Sequence, residues 1–151
     1  LCGAINGDYG ELDWMPLRYI HRTVARKRVP GLCRAAAVGL VTPLRDGMNL
    51  VAKEFVVAQD PDDPGVLVLS RFAGAAEQMK EALLVNPYDT QGMADSIQAA
   101  LRMPLAERQR RHRQLMEGIR AHDVHWWRKT YLAALEQAGE DEDRSHLARR
   151  D

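Results

Sequence analysis

The chain predicts an α/β fold: a parallel sheet covered by helices on both faces. Three observations carry that prediction. Val66 to Ser70 (VLVLS) is a continuous apolar run, the pattern of a strand buried on both sides. Val38 to Thr42 is a second short apolar run, ended by a proline-containing loop and followed by a helical pattern. Elsewhere short strand patterns alternate with helical ones, and parallel neighbours need such crossovers.

Taken in order, Leu1 to Trp14 holds Gly3, Asn6, Gly7, Asp8, Gly10 and Asp13. So many turn formers predict a loop entering the sheet, with a hairpin turn at Asn6-Gly7. Leu17 to Arg22 is rich in β formers and predicts a first strand. Arg26 to Ala36 predicts a short basic helix with Val29, Leu32, Cys33 and Ala36 on one face and Pro30 near its start. The strand Val38 to Thr42 should stop at Pro43, which cannot continue a central ladder. Gly47 allows a positive φ and a close backbone approach, and a helix is expected from about Met48 to Gln59, with Leu50, Val51, Phe55 and Ala58 at helical spacing.

Asp60 to Gly65 (DPDDPG) is a turn-rich loop before the buried strand Val66 to Ser70. The small residues of Phe72 to Ala76 predict a second loop-to-helix turn with close backbone packing. Ala82 to Asn86 is a fourth short strand, stopped by Pro87. Asp89 or Thr90 caps a helix to about Arg102, with Ala94, Ile97, Gln98 and Leu101 as its inner stripe. Pro104 opens a helix to about Ala121, and Asp123 caps a last one from Val124 to about Gln137. Residues 1–138 form the expected domain; the polar stretch 139–151 is expected to be a disordered tail.

Composition narrows the classes. The 151 residues suffice for one domain with a real core. Hydrophobic residues are 46% and charged residues 28%, as in a soluble globular protein. Lys+Arg and Asp+Glu are 21 each, so net charge argues for neither nucleic acid nor membrane as partner. The basic stretch Arg18 to Arg34 has little aromatic interleaving and no nucleic-acid-reading motif, and reads as a solvated face. The arginines at 108, 110, 111 and 113 read the same way. Cys2 and Cys33 form no metal or disulfide pattern, which suits a reducing compartment. No apolar run is long enough to span a bilayer, and no signal peptide is visible; the expected location is the cytoplasm. An opening Leu1 rather than Met is expected of a piece of a longer protein.

The stretch Leu40 to Phe55 (LVTPLRDGMNLVAKEF) is where chemistry is expected. It reads as strand, tight loop and helix, and ligands of open α/β sheets bind at the carboxyl ends of strands. The helix N-terminus offers unpaired N–H groups to a diphosphate. Asp46 sits in the loop and Glu54 two turns along, where carboxylates can accept hydrogen bonds from sugar hydroxyls. The competing reading of both is plain surface acids, and the position of Asp46 argues against it more than that of Glu54. Arg45 is expected to pair with a nearby acid. No GxGxxG or Walker A sequence is present. Ser70 lacks a nucleophile elbow. His122 and His125 lack a third ligand for zinc, so a capping or surface role is expected. Trp126 and Trp127 suit packing of the last helix against the body or another domain.

Four blocks, INGDYGELDWMPLRYI, LVTPLRDGMNLVAKEFVVAQ, GVLVLSRFAGAA and LLVNPYDTQGMADSI, occur in the same order in a known family. From about Ala4 to Ala138 the chain resembles the C-terminal part of the α,α-trehalose-phosphate synthases (UDP-forming), most closely the bacterial ones. The resemblance implies a Rossmann-like domain, the C-terminal half of a two-domain GT-B glycosyltransferase, here incomplete at its N-terminus. It implies retaining transfer of glucose from UDP-glucose to glucose 6-phosphate, giving trehalose 6-phosphate and UDP, with no metal or cofactor and no protein nucleophile. Asp46 would orient the donor glucose. The backbone of Gly47, Met48, Asn49, Leu50 and Val51 would meet the diphosphate and glucose, Glu54 the ribose, and Val24 the uracil through its backbone. The family's enzymes are much longer. The acceptor domain and the arginine and lysine that meet the phosphates lie outside this chain, so on its own it is expected to be inactive. The complete enzyme is a possible homo-oligomer. The alternative is a non-catalytic nucleotide-sugar-binding or interaction module.

Overall fold

A computed structural model describes residues 1–147, with residues 139–147 described by their backbone alone. Three parallel strands form the sheet, β1 (Val38–Val41), β2 (Val66–Ser70) and β3 (Leu83–Val85), in the order β1-β2-β3. Val38 pairs with Val66 and Val68 with Leu83. β2 is central, and all five of its residues are buried.

Alternation along β2 builds two cores. Leu67 and Leu69 face Phe55 and Val56 of α3 (Leu50–Ala58) and Leu115 of α5 (Leu105–Ala121). Val66 and Val68 face Ala100 of α4 (Thr90–Leu101) and the neighbouring Met93 and Met103. Helices therefore cover both faces, as the apolar run predicts. Each fully buried Val or Leu contributes about 1.5–3 kcal/mol of transfer free energy, so β2 dominates the sheet's stability. Among the described residues no helix is long and apolar enough to cross a membrane.

The N-terminal third departs from the expectation. Residues Cys2–Tyr9 form a helix, α1, in place of a loop with a hairpin turn. None of its residues is buried. The Asn6 amide, read as a turn former, instead donates to Leu17 O and accepts from Leu17 N, both at 2.9 Å. Leu17 to Arg22 is not a strand. A strand exists through its neighbour's ladder, and this segment pairs with none among the described residues, leaving Tyr19 and Ile20 exposed. The basic helix is shorter than expected: a 3₁₀ turn (Arg26–Arg28) leads into α2 (Val29–Ala35), with Pro30 in its first turn. Leu32 points outward, while Cys33 and Ala36 pack on the core.

Other differences are local. The turn after β2 is a single 3₁₀ turn, Gly74–Glu77. On α4, capped by Asp89, the inward residues are Met93, Ile97 and Ala100; Ala94, Gln98 and Leu101 are exposed. α6 (Val124–Leu147) runs past the expected end at Gln137, into the stretch expected as a tail, whose residues 148–151 lie outside the described residues. Asp123 caps it, its carboxylate accepting from Trp126 N at 2.8 Å, which holds that carboxyl below the usual range.

Of the arginines at 108, 110, 111 and 113 on α5, three are clasps, not a solvated face. Arg108 binds Asp63 and Pro64 O, both at 2.7 Å. Arg111 donates to Glu81 O at 2.8 Å. Arg110 and Arg111 both bind Glu107 at 2.8 Å. The hydrogen bond from Arg110 lowers the Glu107 carboxyl to about 2, with help from Arg111 and against partial burial. The folded state thus holds Glu107 ionised where the unfolded chain, near the ordinary glutamate value, takes up a proton. The contribution is complete above about pH 5 and is lost as pH falls toward 2. Thermal melts across that window are expected to fall less steeply for Glu107→Gln than for the unmodified chain.

Candidate functional site

The candidate site lies where β1 and β2 end. β1 stops at Val41, and the chain passes through Pro43 into a loop that reaches α3 at Leu50. This loop is laced to the turn after β2. Asp46 N donates to Phe72 O at 3.3 Å, Gly74 N to Asp46 O at 2.9 Å, and Ala75 N to Met48 O at 2.8 Å. Asp46 and Ala73 form an isolated parallel bridge. The lacing demands a glycine at 74, since a Cβ there overlaps the Gly47 carbonyl. A Cβ at Gly47 would meet nothing within 4 Å, and Gly47 does not take the positive φ its residue type allows.

Among the described residues Asn49 is the only non-glycine with positive φ, at 69°. It is 9% exposed. It caps α3, which starts at Leu50, two residues after the expected Met48, its Oδ1 accepting from Ala52 N at 2.9 Å. Its Nδ2 donates to Asp46 Oδ2 at 3.0 Å, and Met48 N donates to Asp46 Oδ1 at 3.0 Å. The half-buried Asp46 carboxylate is therefore fixed from within its own loop. Helix geometry leaves the N–H groups of Leu50 and Val51 without intrahelical acceptors at the positive end of α3.

Glu54 lies one turn beyond Leu50, roughly 6 Å along the axis. It lines a groove of about 320 Å³ between α2 and α3, with Arg26, Val29, Pro30, Cys33 and Val57. Gly47 and Met48 line a different groove of about 650 Å³, with Leu50, Lys53, Trp126 and Trp127. The sequence-predicted residues thus fall along one helix end and its two flanks rather than around one cavity. Val24, expected at the end of a strand, lies half-buried in an irregular segment two residues before Arg26. Arg45 is exposed and forms no ion pair among the described residues.

Other singled-out residues have structural roles. Ser70 Oγ accepts from Phe72 N at 3.1 Å, shaping the second loop. His122 bonds Gly118 O through Nδ1 at 2.9 Å and meets the Trp126 ring edge-on. Trp127 stacks on Tyr131. Among the described residues no group of His, Cys, Asp or Glu side chains is placed to hold a metal ion. Sequence reasoning missed the side-chain role of Asn49, whereas the close backbone packing expected of the Phe72 to Ala76 turn is met at Gly74. The sign of the Asn49 role was present, because asparagine both caps helices and tolerates left-handed backbone.

Comparison with known proteins places this loop in a family. The sequence pattern of glycosyltransferase family 20 matches residues 1–137. Trehalose-6-phosphate synthase of Sinorhizobium fredii is 58% identical over 133 residues, 88% of this chain and 29% of that protein. The crystal structure of a UDP-forming α,α-trehalose-phosphate synthase from Burkholderia xenovorans in complex with glucose-6-phosphate is 57% identical, with a TM-score of 0.85. It is matched over 89% of this chain and 30% of its own. An Escherichia coli structure bound with UDP-2-fluoro glucose is 51% identical, also with a TM-score of 0.85, over 90% of this chain and 30% of that one. The chain thus spans about 30% of the length of these relatives, and their structures carry the GT-B fold. A match over nearly the whole chain, at identities above half, leaves one assignment: the chain belongs to glycosyltransferase family 20.

Proposed function

We propose that this chain is the donor-binding part of a retaining glycosyltransferase that moves glucose from UDP-glucose to glucose 6-phosphate, forming trehalose 6-phosphate and UDP. The observation that carries the reading is the laced loop from Asp46 to Asn49, set at the N-terminus of α3 beside the carboxyl ends of β1 and β2. The relatives' complexes with glucose-6-phosphate and UDP-2-fluoro glucose support it.

In this reading the donor lies along the first half of α3. The diphosphate meets the N–H groups of Leu50 and Val51, with the backbone of Gly47, Met48 and Asn49 alongside. Glu54 accepts hydrogen bonds from the ribose hydroxyls, and the backbone at Val24 meets the uracil. Asp46 accepts from glucose hydroxyls and orients the sugar, without attacking it. As the glycosidic bond breaks, negative charge grows on the diphosphate. The helix end stabilises that charge by about 0.3–2 kcal/mol, and one aligned donor contributes roughly 3–4 kcal/mol in a transition state. No metal or cofactor enters this scheme. The acceptor site belongs to the part of the enzyme outside this chain, residues 1–138 being donor domain. The complete protein is proposed to work in the cytoplasm.

Calorimetric titration separates the roles. Glu54→Ala is expected to weaken UDP and UDP-glucose alike, by about tenfold for a lost hydrogen bond to a charged group. Asp46→Ala is expected to weaken UDP-glucose by a similar factor and leave UDP nearly unchanged. Equal losses in both variants contradict the assignment. The 151-residue chain alone is expected to release no UDP from UDP-glucose and glucose 6-phosphate. Turnover near that of a complete family enzyme contradicts the division of labour.

A further inference from the structure

The Asn49 side chain joins the two halves of the candidate loop, and we propose that it is the positioning residue for Asp46, holding that carboxylate in the orientation that meets the donor sugar. The proposal rests on the donor-site reading above. Its basis is the amide's double engagement. Oδ1 accepts from Ala52 N at 2.9 Å, fixing the amide to the first turn of α3. Nδ2 then donates to Asp46 Oδ2 at 3.0 Å. Met48 N holds Oδ1 of the same carboxylate at 3.0 Å. Each carboxylate oxygen keeps acceptor capacity for a ligand hydroxyl, while rotation of the group is blocked from both sides.

Residue choice at 49 supports this role over plain capping. Aspartate or serine caps a helix as well as asparagine does, and glycine takes the φ of 69° more easily. Neither group supplies what the loop uses. Glycine lacks both side-chain bonds. Aspartate keeps the acceptor for Ala52 but loses the amide donor and sets a second negative charge against Asp46. Asparagine alone combines cap, left-handed backbone and a donor for the carboxylate. Its burial, at 9% exposure, keeps water from competing for those bonds.

The Asn49→Asp variant replaces the donor with a like charge while preserving size and cap. Its melting temperature is expected to fall, because a second carboxylate faces Asp46 at a buried position, while the exchange protection of the Ala52 amide stays close to that of the unmodified chain. Protection of the Met48 amide is expected to fall. UDP-glucose affinity is expected to drop about tenfold or more while UDP affinity stays within about twofold. Asn49→Gly, which loses the cap as well, is expected to lower stability and UDP-glucose affinity together. Pairing Asp46→Asn with Asn49→Asp exchanges donor and acceptor and is expected to restore Met48 protection, though not sugar binding. If Asn49→Asp leaves the two affinities in their original ratio, or leaves Met48 protection unchanged, the positioning role is overturned and the donor site stands. If the unmodified chain takes up neither UDP nor UDP-glucose, the donor-site reading falls and the positioning role with it.

Discussion

Gly74→Ala is expected to cost the chain most of its affinity for UDP-glucose. The added Cβ meets the Gly47 carbonyl, which is backbone and has no rotamer to escape into. The loop must shift, and with it the hydrogen bonds from Gly74 N to Asp46 O and from Ala75 N to Met48 O. Overpacking of this kind costs about 1–3 kcal/mol. Spent on the loop's geometry, it lowers affinity by about ten- to a hundredfold. UDP should suffer less than UDP-glucose, because Glu54 lies in a groove that residue 74 does not line. Calorimetry on the purified variant decides the matter; affinity within about twofold of the original would show that the lacing does not shape the site.

The second large effect concerns the sheet. Leu69 is wholly buried in the central strand, against the core beneath α3 and α5. Truncation to alanine removes three heavy atoms from a site that parallel neighbours on both sides keep from collapsing. Urea denaturation is expected to show a loss of about 2–5 kcal/mol, a large part of a domain's stability. Leu101→Ala is the control. That residue is 64% exposed on α4, so its loss is expected to stay within about 0.5 kcal/mol. Similar losses in the two variants would contradict the observed faces of β2 and α4.

The Leu101 comparison shows where sequence and structure part. Helical spacing identifies α4 and its Asp89 cap, but several residue sets on one helix satisfy the same period. The stripe that faces the sheet is chosen by Val66, Val68 and Val85, which belong to the strands and not to the helix. β2 was legible because four apolar residues in a row, between a turn-rich loop and a serine, admit few arrangements. Leu17 to Arg22 carries a strand's composition without a strand's partner, and composition says nothing about neighbours. In the loop, type and place were legible: strand, proline stop, turn and helix. Its internal mechanics were not. Gly47 drew notice as a glycine in a turn, whereas the left-handed residue is Asn49 and the glycine under steric demand is Gly74. Both depend on the second loop lying against the first, a tertiary fact. The arginines of α5 differ from the expected solvated face partly for the same reason, since Asp63 and Glu81 lie far upstream, although Glu107, which binds Arg110 and Arg111, is on the same helix. Family membership came from long blocks of residues, which carry information that periodicity does not.

The most direct test of the proposed donor site is a heteronuclear NMR titration of the isotope-labelled chain with UDP-glucose. The account predicts localised amide shifts from Gly47 to Glu54, with saturation, and their loss in an Asp46→Ala, Glu54→Ala double variant that keeps a dispersed spectrum. A well-dispersed spectrum that stays unmoved at those amides, or moves only elsewhere, would contradict it.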